Sequence, residues 1–338
     1  MIYKQSAQSG VPPLPSIGEG RFGWKFKAGG PDPTRSRVWF VDGLLGSDQY
    51  DGADPETAFA TVGKAISMAV AYDVIYVLDM GYDVSGGDPV PYTAVTTNLS
   101  IAVGKNNLAL VGVPHNIHQV YGLQLKPVSA STTPILSVYA PLVSIENLCF
   151  NKRGDGVGSC VYIIEDGTYG GTGVSLYNCH FRNADMGSAA HTTNAGVKLI
   201  GTKWADISRC YFFDCRNGVA QGSGINTINF TTIRDCVFSA SVVANIDVDI
   251  LLIPGSSGQS AGHLVDNCRF VHDVPAFAGA GALTAYIYDL LSTDFLVSEC
   301  HFATDNASCK DTVTNEIVTL AGNTIVGCYD AAGLIAWA

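Results

Sequence analysis

Carboxylates are the side chains here best suited to chemistry, and two of them hold equivalent places in a repeated unit. Asp235 and Glu299 each stand directly before a cysteine and three residues before a phenylalanine, in DCVF and ECHF. If the units stack as neighbouring strands, two steps place the pair about 9.6 Å apart between Cα atoms. That approaches the wide end of the ~6.5–9.5 Å gap that admits a water between the carboxyl groups of an inverting glycosidase. The same position is also where the chain would bend, and a solvated bend residue is the simpler expectation for both. Glu165 and Asp166 in IIEDGTYGG, with Asp185 in RNADMG, form a second acidic group able to line a groove built from loops. Acidic loop residues more often simply face water.

Other candidates carry less. His180 and His301 fall between a cysteine and a phenylalanine, a position that points outward, but Cys149 and Val237 hold the same place in other copies. The histidines therefore form no coherent site. Asp48, Asp51 and Asp54 in DQYDGAD offer the hard oxygen ligands that Ca²⁺ takes, yet the full loop spacing is missing and a plain turn is expected. No CxxC or Cys/His spacing suggests zinc. GTYGGTG and GSSGQSAG read as loop glycines, so neither a metal nor a cofactor is expected.

The elements that must position these residues are legible as columns. Phe150, Phe181, Phe212, Phe238, Phe270 and Phe302 are each preceded, two residues earlier, by Leu148, Cys179, Cys210, Cys236, Cys268 or Cys300. Three residues earlier again stand Ile145, Leu176, Ile207, Ile233, Val265 and Val297. The unit recurs after 31, 31, 26, 32 and 32 residues, so three columns hold register while the loops between them vary. Looser copies flank it at Leu108, Leu110, Gly112 and Val113 and at Val318, Leu320, Gly322, Asn323 and Ile325. Such periods indicate a solenoid, propeller or array. Segments such as GVKLIGTKW and INTINFTTI are short, β-branched and bounded by turn residues, which selects strands over helices. A propeller blade needs about 40 residues or more, and the leucine-rich consensus is absent.

A parallel β-helix remains. Its strands lie about 4.8 Å apart, so like side chains from successive turns stack into files. The phenylalanine file should form an interior aromatic ladder. The column before the cysteines reads Asn147, Asn178, Arg209, Asp235, Asn267 and Glu299, residues expected at a bend that tolerates left-handed backbone. Adjacent members of the cysteine file would sit too far apart for the ~3.5–4.5 Å Cβ separation of a disulfide, so buried free thiols are expected. Cys160, Cys215, Cys309 and Cys328 are read as lying off that file.

These columns resemble the right-handed parallel β-helix proteins of the pectate lyase-like superfamily. A second stretch carries the resemblance: VWFVDGLLGSDQYDGADPETAFATVGKAISMAVAYDVIYVLDMGYDV is similar to the first strand, loop and helix of many members. It implies an all-β fold, a single-stranded solenoid with an N-terminal capping α-helix that presents Val62, Ala65, Ile66 and Ala69 to the open end. Residues 1–37 would then be an extended arm, 38–85 a strand–helix–strand cap, and 86–338 the rod. The superfamily includes lyases, hydrolases, epimerases, adhesins and phage spikes, so function is less constrained than fold.

Charge separates the arm from the rod. Residues 1–37 carry a net +4 and the remainder −15, which together make the −11 of the 338-residue chain. The basic, aromatic run Arg21, Phe22, Trp24, Lys25, Phe26 and Lys27 reads as an anchor, because alternating aromatics gain little in water and much on a partner. An acidic rod is a poor ligand for nucleic acid. No apolar run is long enough to span a membrane, and no secretory signal is visible. Resemblance to phage spikes implies a homotrimeric structural protein of a tailed-phage virion, made in the bacterial host cytoplasm. Its partners would be other virion proteins, gripped through the arm, and a host surface glycan. A polysaccharide-degrading tailspike or other carbohydrate-active enzyme is the alternative.

Overall fold

The structure is a computed structural model that describes residues 36–78, 92–95, 98–113, 123–127, 133–152, 158–165, 170–184, 194–221, 229–240, 248–252, 260–272, 285–289, 292–303, 317–318, 323–330 and 333–334. Residues 1–35 of the expected arm, Arg21 to Lys27 among them, lie outside these, and only Ser36 and Arg37 of it are described. Three sheets form the walls of a parallel β-helix. The first has ten strands, from Val38–Val41 to Thr324–Val326; the second has ten, from Tyr92–Val95 to Gly333–Leu334; the third has eight, from Leu99–Ile101 to Ile317–Val318. One turn of the coil visits them in that order, as in Ser144–Glu146, Cys149–Asn151 and Val161–Ile164. Pairing is parallel except where Tyr329–Asp330 meets Gly333–Leu334 at the C-terminal end.

Register within the walls follows the sequence columns. Ile145, Leu176, Ile207, Ile233, Val265 and Val297 are successive partners in the first sheet. In the second sheet the phenylalanines pair in order, with ring centroids 5.5, 4.9, 4.7, 5.0 and 4.7 Å apart from Phe150 to Phe302. All six rings are buried. Each stacked pair adds about 0.5–1.5 kcal/mol beyond area burial, which favours the same residue at every rung. Gly196 and Gly218, in or beside the third sheet, let that wall approach the ladder. A Cβ at Gly196 would lie 2.8 Å from Phe212, and one at Gly218 would lie 2.4 Å from Phe238.

The thiol file fills the corner between the first two sheets. Cys210 Sγ donates to Ser208 O at 3.4 Å and Leu176 O at 3.6 Å, and Cys236 and Cys268 repeat the pattern one turn on. A cysteine is small enough for the corner and spends its weak donor on a carbonyl there. One expectation needs correction: Cys328 belongs to this file. Ile325 pairs with Val297, and Cys328 follows it by the same three residues, its Sγ 3.7 Å from Val326 O. Ile325 belongs to the looser flanking copy of the sequence, in which Gly327 at the bend and Asp330 in place of phenylalanine leave Cys328 unplaced. Cys160 and Cys215 occupy the corner after the second sheet, bonded to Phe150 O and Phe181 O, each at 3.4 Å. The nine described cysteines are free and buried, and Cys309 lies outside the described residues.

Helix α1, Val62–Met68, covers the N-terminal end. It turns Val62, Ala65 and Ile66 inward and packs on Leu99–Ile101, the edge strand of the third sheet. Thr61 Oγ1 caps it by accepting from Lys64 N at 3.1 Å, and Asp48 holds Thr61 through both its N–H and its hydroxyl. Asp73, fully buried, accepts from Arg37 N at 2.8 Å, Trp39 Nε1 at 2.8 Å and Val70 N at 2.9 Å. It ties the first strand to the chain leaving the helix.

Candidate functional site

Asp235 and Glu299 share one file, at left-handed bends with φ of 53° and 54°. The whole file, from Asn147 to Glu299, keeps φ between 48° and 56°. Asn267 stands between the two carboxylates and donates to Asp235 Oδ1 at 2.7 Å, as Asn178 donates to Asn147 Oδ1 at 2.7 Å. Both carboxylates are exposed on a ridge that the bend geometry itself accounts for.

The remaining candidates disperse. Asp51 accepts from Thr57 Oγ1 and Ala53 N, bonds that lower its pKa and close a local turn; Asp48 serves Thr61, and Asp54 makes no side-chain capping bond. Among the described residues no cluster of three metal-ligating side chains occurs, and no helix is long and apolar enough to cross a membrane. His180 lies half-buried, its ring 5.5 Å from Tyr211; burial first, then Arg182, holds its pKa down to about 4. His301 is exposed. Asp166 and Asp185 lie outside the described residues. On the outer face of the first sheet Arg234 meets Asp206 at 3.3 Å, and burial raises the pKa of Glu146 although Ser144 donates to it.

Glu165 is the exception. It follows the third-sheet strand Val161–Ile164, and its backbone N–H donates to Ile200 O on the next turn at 2.8 Å. Its side chain is only 5% exposed, with Oε1 3.6 Å from Lys203 Nζ and Oε2 enclosed without a hydrogen-bond partner. Lys203 belongs to the next turn and leads directly into Trp204.

Trp204 sits in a file that the sequence reading missed. Tyr72, Asn107, Leu142, Gly173, Trp204, Phe230, Gly262 and Asp294 all have positive φ, from 54° to 72°. Backbone bonds such as Leu142 N to Thr172 O, Trp204 N to Asn229 O and Phe230 N to Ala261 O hold it in register. From Leu142 onward each member stands five residues before a position of the first bend file: Trp204 before Arg209, Phe230 before Asp235, Asp294 before Glu299. Extending the aligned block upstream by that interval would have exposed it. Glycine, asparagine and aspartate adopt this conformation cheaply, whereas a bulky residue there costs of order 1–3 kcal/mol. Leu142, Trp204 and Phe230 accept that strain while each remains 47% exposed. The Trp204 and Phe230 rings run nearly parallel, at 12°, with centroids 6.0 Å apart.

No protein-family model matches the chain, and no curated protein matches its sequence. Among solved structures, a rhamnogalacturonan lyase aligns with a TM-score of 0.47 at 16% identity, covering 88% of this chain and 86% of its own. The surface adhesin PfbA of Streptococcus pneumoniae gives 0.41 at 10% identity, with coverage of 89% and 74%. ORF18 of Geobacillus virus E2 gives 0.43 at 11% identity, with coverage of 86% and 62%. At these scores none of the three assigns a family or an activity to this chain.

Proposed function

We propose that this chain is a structural rod of a tailed-bacteriophage particle, a homotrimeric spike or capsid decoration protein docked through residues 1–37. The separation of charge and aromatic residues along the chain carries this reading. An arm of net +4 that holds Phe22, Trp24 and Phe26 precedes a solenoid of net −15. The solenoid supports it mechanically, because one apolar core runs from Trp39 to Cys328 and each turn is locked to the next by parallel pairing. Deleting residues 1–35 tests it. That cut spares Arg37, whose N–H holds Asp73, so the rod should fold and lose only its incorporation into particles. Incorporation at the level of the full chain overturns the tether.

A polysaccharide-cleaving rod is the second reading, favoured by two carboxylates in one file. Release of oligosaccharide from host capsule or lipopolysaccharide, abolished by Asp235→Asn or Glu299→Gln, would replace the structural reading.

A further inference from the structure

We propose that Cys149 and His180 hold a single copper(I) ion between two turns of the coil, on the outer face of the second sheet. This goes beyond the virion reading and is tested separately from it. Register places the pair. Cys149 opens the strand Cys149–Asn151, His180 opens His180–Arg182, and the two are direct partners in the parallel ladder. Phe150 and Phe181 are buried in the core, so the residue before each points out. Partners in register stand about 4.8 Å apart on one face. Gln124 precedes them in the file and Tyr211 follows.

Both groups have unused coordinating capacity. His180 Nδ1 is enclosed and has no hydrogen-bond partner. Enclosed polar atoms of this kind are mostly satisfied, by protein, by water or by an ion. Cys149 stands apart from the core cluster although it is only 4% exposed. Cys210, Cys236 and Cys268 donate to carbonyls, whereas Cys149 Sγ accepts, from Gln124 Nε2 at 3.9 Å. His180 is half-buried and gives an ion its route in from solvent.

Ligand type and number select the ion. Imidazole suits copper, and thiolate favours its monovalent state. A closed-shell monovalent ion accepts two ligands in line, whereas a structural zinc asks for four. No cluster of three His, Cys, Asp or Glu occurs among the described residues. Metal bonds to sulfur and to imidazole, about 2.3 and about 2.1 Å long, span about 4.4 Å end to end, close to the step between strands. Burial pushes the Cys149 thiol up to about 11, against the pull of Arg182 and Gln124. The ion therefore displaces one proton from sulfur, no electron moves, and the thiolate complex is neutral. Burial moves thiol and imidazole away from the thiolate–imidazolium state of a nucleophilic cysteine, which leaves metal binding as the use of the pair.

The test is anaerobic titration of the reduced full chain with copper(I) against the chelator bathocuproine disulfonate, followed by X-ray absorption at the copper edge. One equivalent should resist the chelator, with one sulfur and one nitrogen bound to the copper. Cys149→Ala should abolish this binding and His180→Phe should weaken it at least tenfold, each with an unfolding midpoint near that of the parent chain. Cys309→Ala should change neither. Copper yielded wholly to the chelator overturns the proposal, as does an all-sulfur shell, which needs no variant to detect. Unchanged affinity in both Cys149→Ala and His180→Phe overturns it too, and zinc(II) held as tightly as copper(I) overturns the choice of ion.

Discussion

Gly218→Ala should destabilise this protein for a reason that concerns a single ring. The φ of Gly218 lies outside the left-handed range, so conformation alone does not demand glycine. At such a site alanine ordinarily gains about 0.4–1 kcal/mol by restricting the unfolded chain. Here the new Cβ would fall 2.4 Å from Phe238 Cε1, 2.5 Å from Cδ1 and 2.9 Å from Asp249 O. The ring cannot step aside, because Phe212 stacks on one face at 4.7 Å and Phe270 on the other at 5.0 Å. Overpacking of this kind costs about 1–3 kcal/mol. Gly63→Ala is the control: in α1 its Cβ would meet Leu99 Cδ2 at an ordinary 3.5 Å, so it should gain roughly 0.5–1 kcal/mol. Urea unfolding followed by circular dichroism reads both as midpoint shifts at constant slope. Phe238→Leu removes the offending ring edge, so the double variant should recover about 1–2 kcal/mol relative to the sum of the singles. Additivity within about 0.5 kcal/mol, or a gain from Gly218→Ala matching the control, refutes the ring as the cause.

Two further outcomes follow from buried polar groups. His263 is enclosed, accepts from Thr231 N at 3.3 Å, and is held by burial to a pKa of about 4 against an ordinary 6.5. Acid therefore protonates the unfolded chain first, so this contribution is complete above pH 6.5 and falls away toward pH 4. Lowering the pH from 7 to 5 should remove about 2 kcal/mol of stability, and His263→Leu should flatten that slope in urea titrations. Asp73→Ala strands three donors, among them the Trp39 indole, and should cost about 3–5 kcal/mol with a loss of near-ultraviolet dichroism; a cost below about 1 kcal/mol would contradict its role as the tie.

Much of the fold was legible because interior files repeat identity as well as polarity. A phenylalanine ring is stabilised most by another ring 4.7–5.5 Å away, so the sequence shows the same letter at each rung. The helix was legible from Val62, Ala65 and Ile66 on one face. Cys328 was misplaced because its turn had lost the phenylalanine, so the looser copy around Ile325 offered no ring from which to count back to the thiol. The second left-handed file was missed for a different reason. Its members range from glycine to tryptophan, since a file that faces water is held by backbone geometry and asks only for positive φ.

That contrast explains why chemistry is harder to read from this chain than architecture. Inside the coil, each side chain is constrained by its copies above and below, and the Gly218 contact shows how little slack remains. Outside, a bend needs positive φ and little else, so Asp235, Arg209 and Glu299 interchange at one file as freely as Trp204, Gly173 and Asp294 do at the other. Identity at an exterior position therefore carries information mainly when it opposes the local preference. Asp235 and Glu299 agree with the bend they occupy, which weakens them as catalytic candidates. Trp204 and Phe230 contradict theirs, and the structure shows what compensates: the two rings stack at 6.0 Å, and Phe230 lies over Gly262, where a Cβ would fall 2.4 Å from the ring.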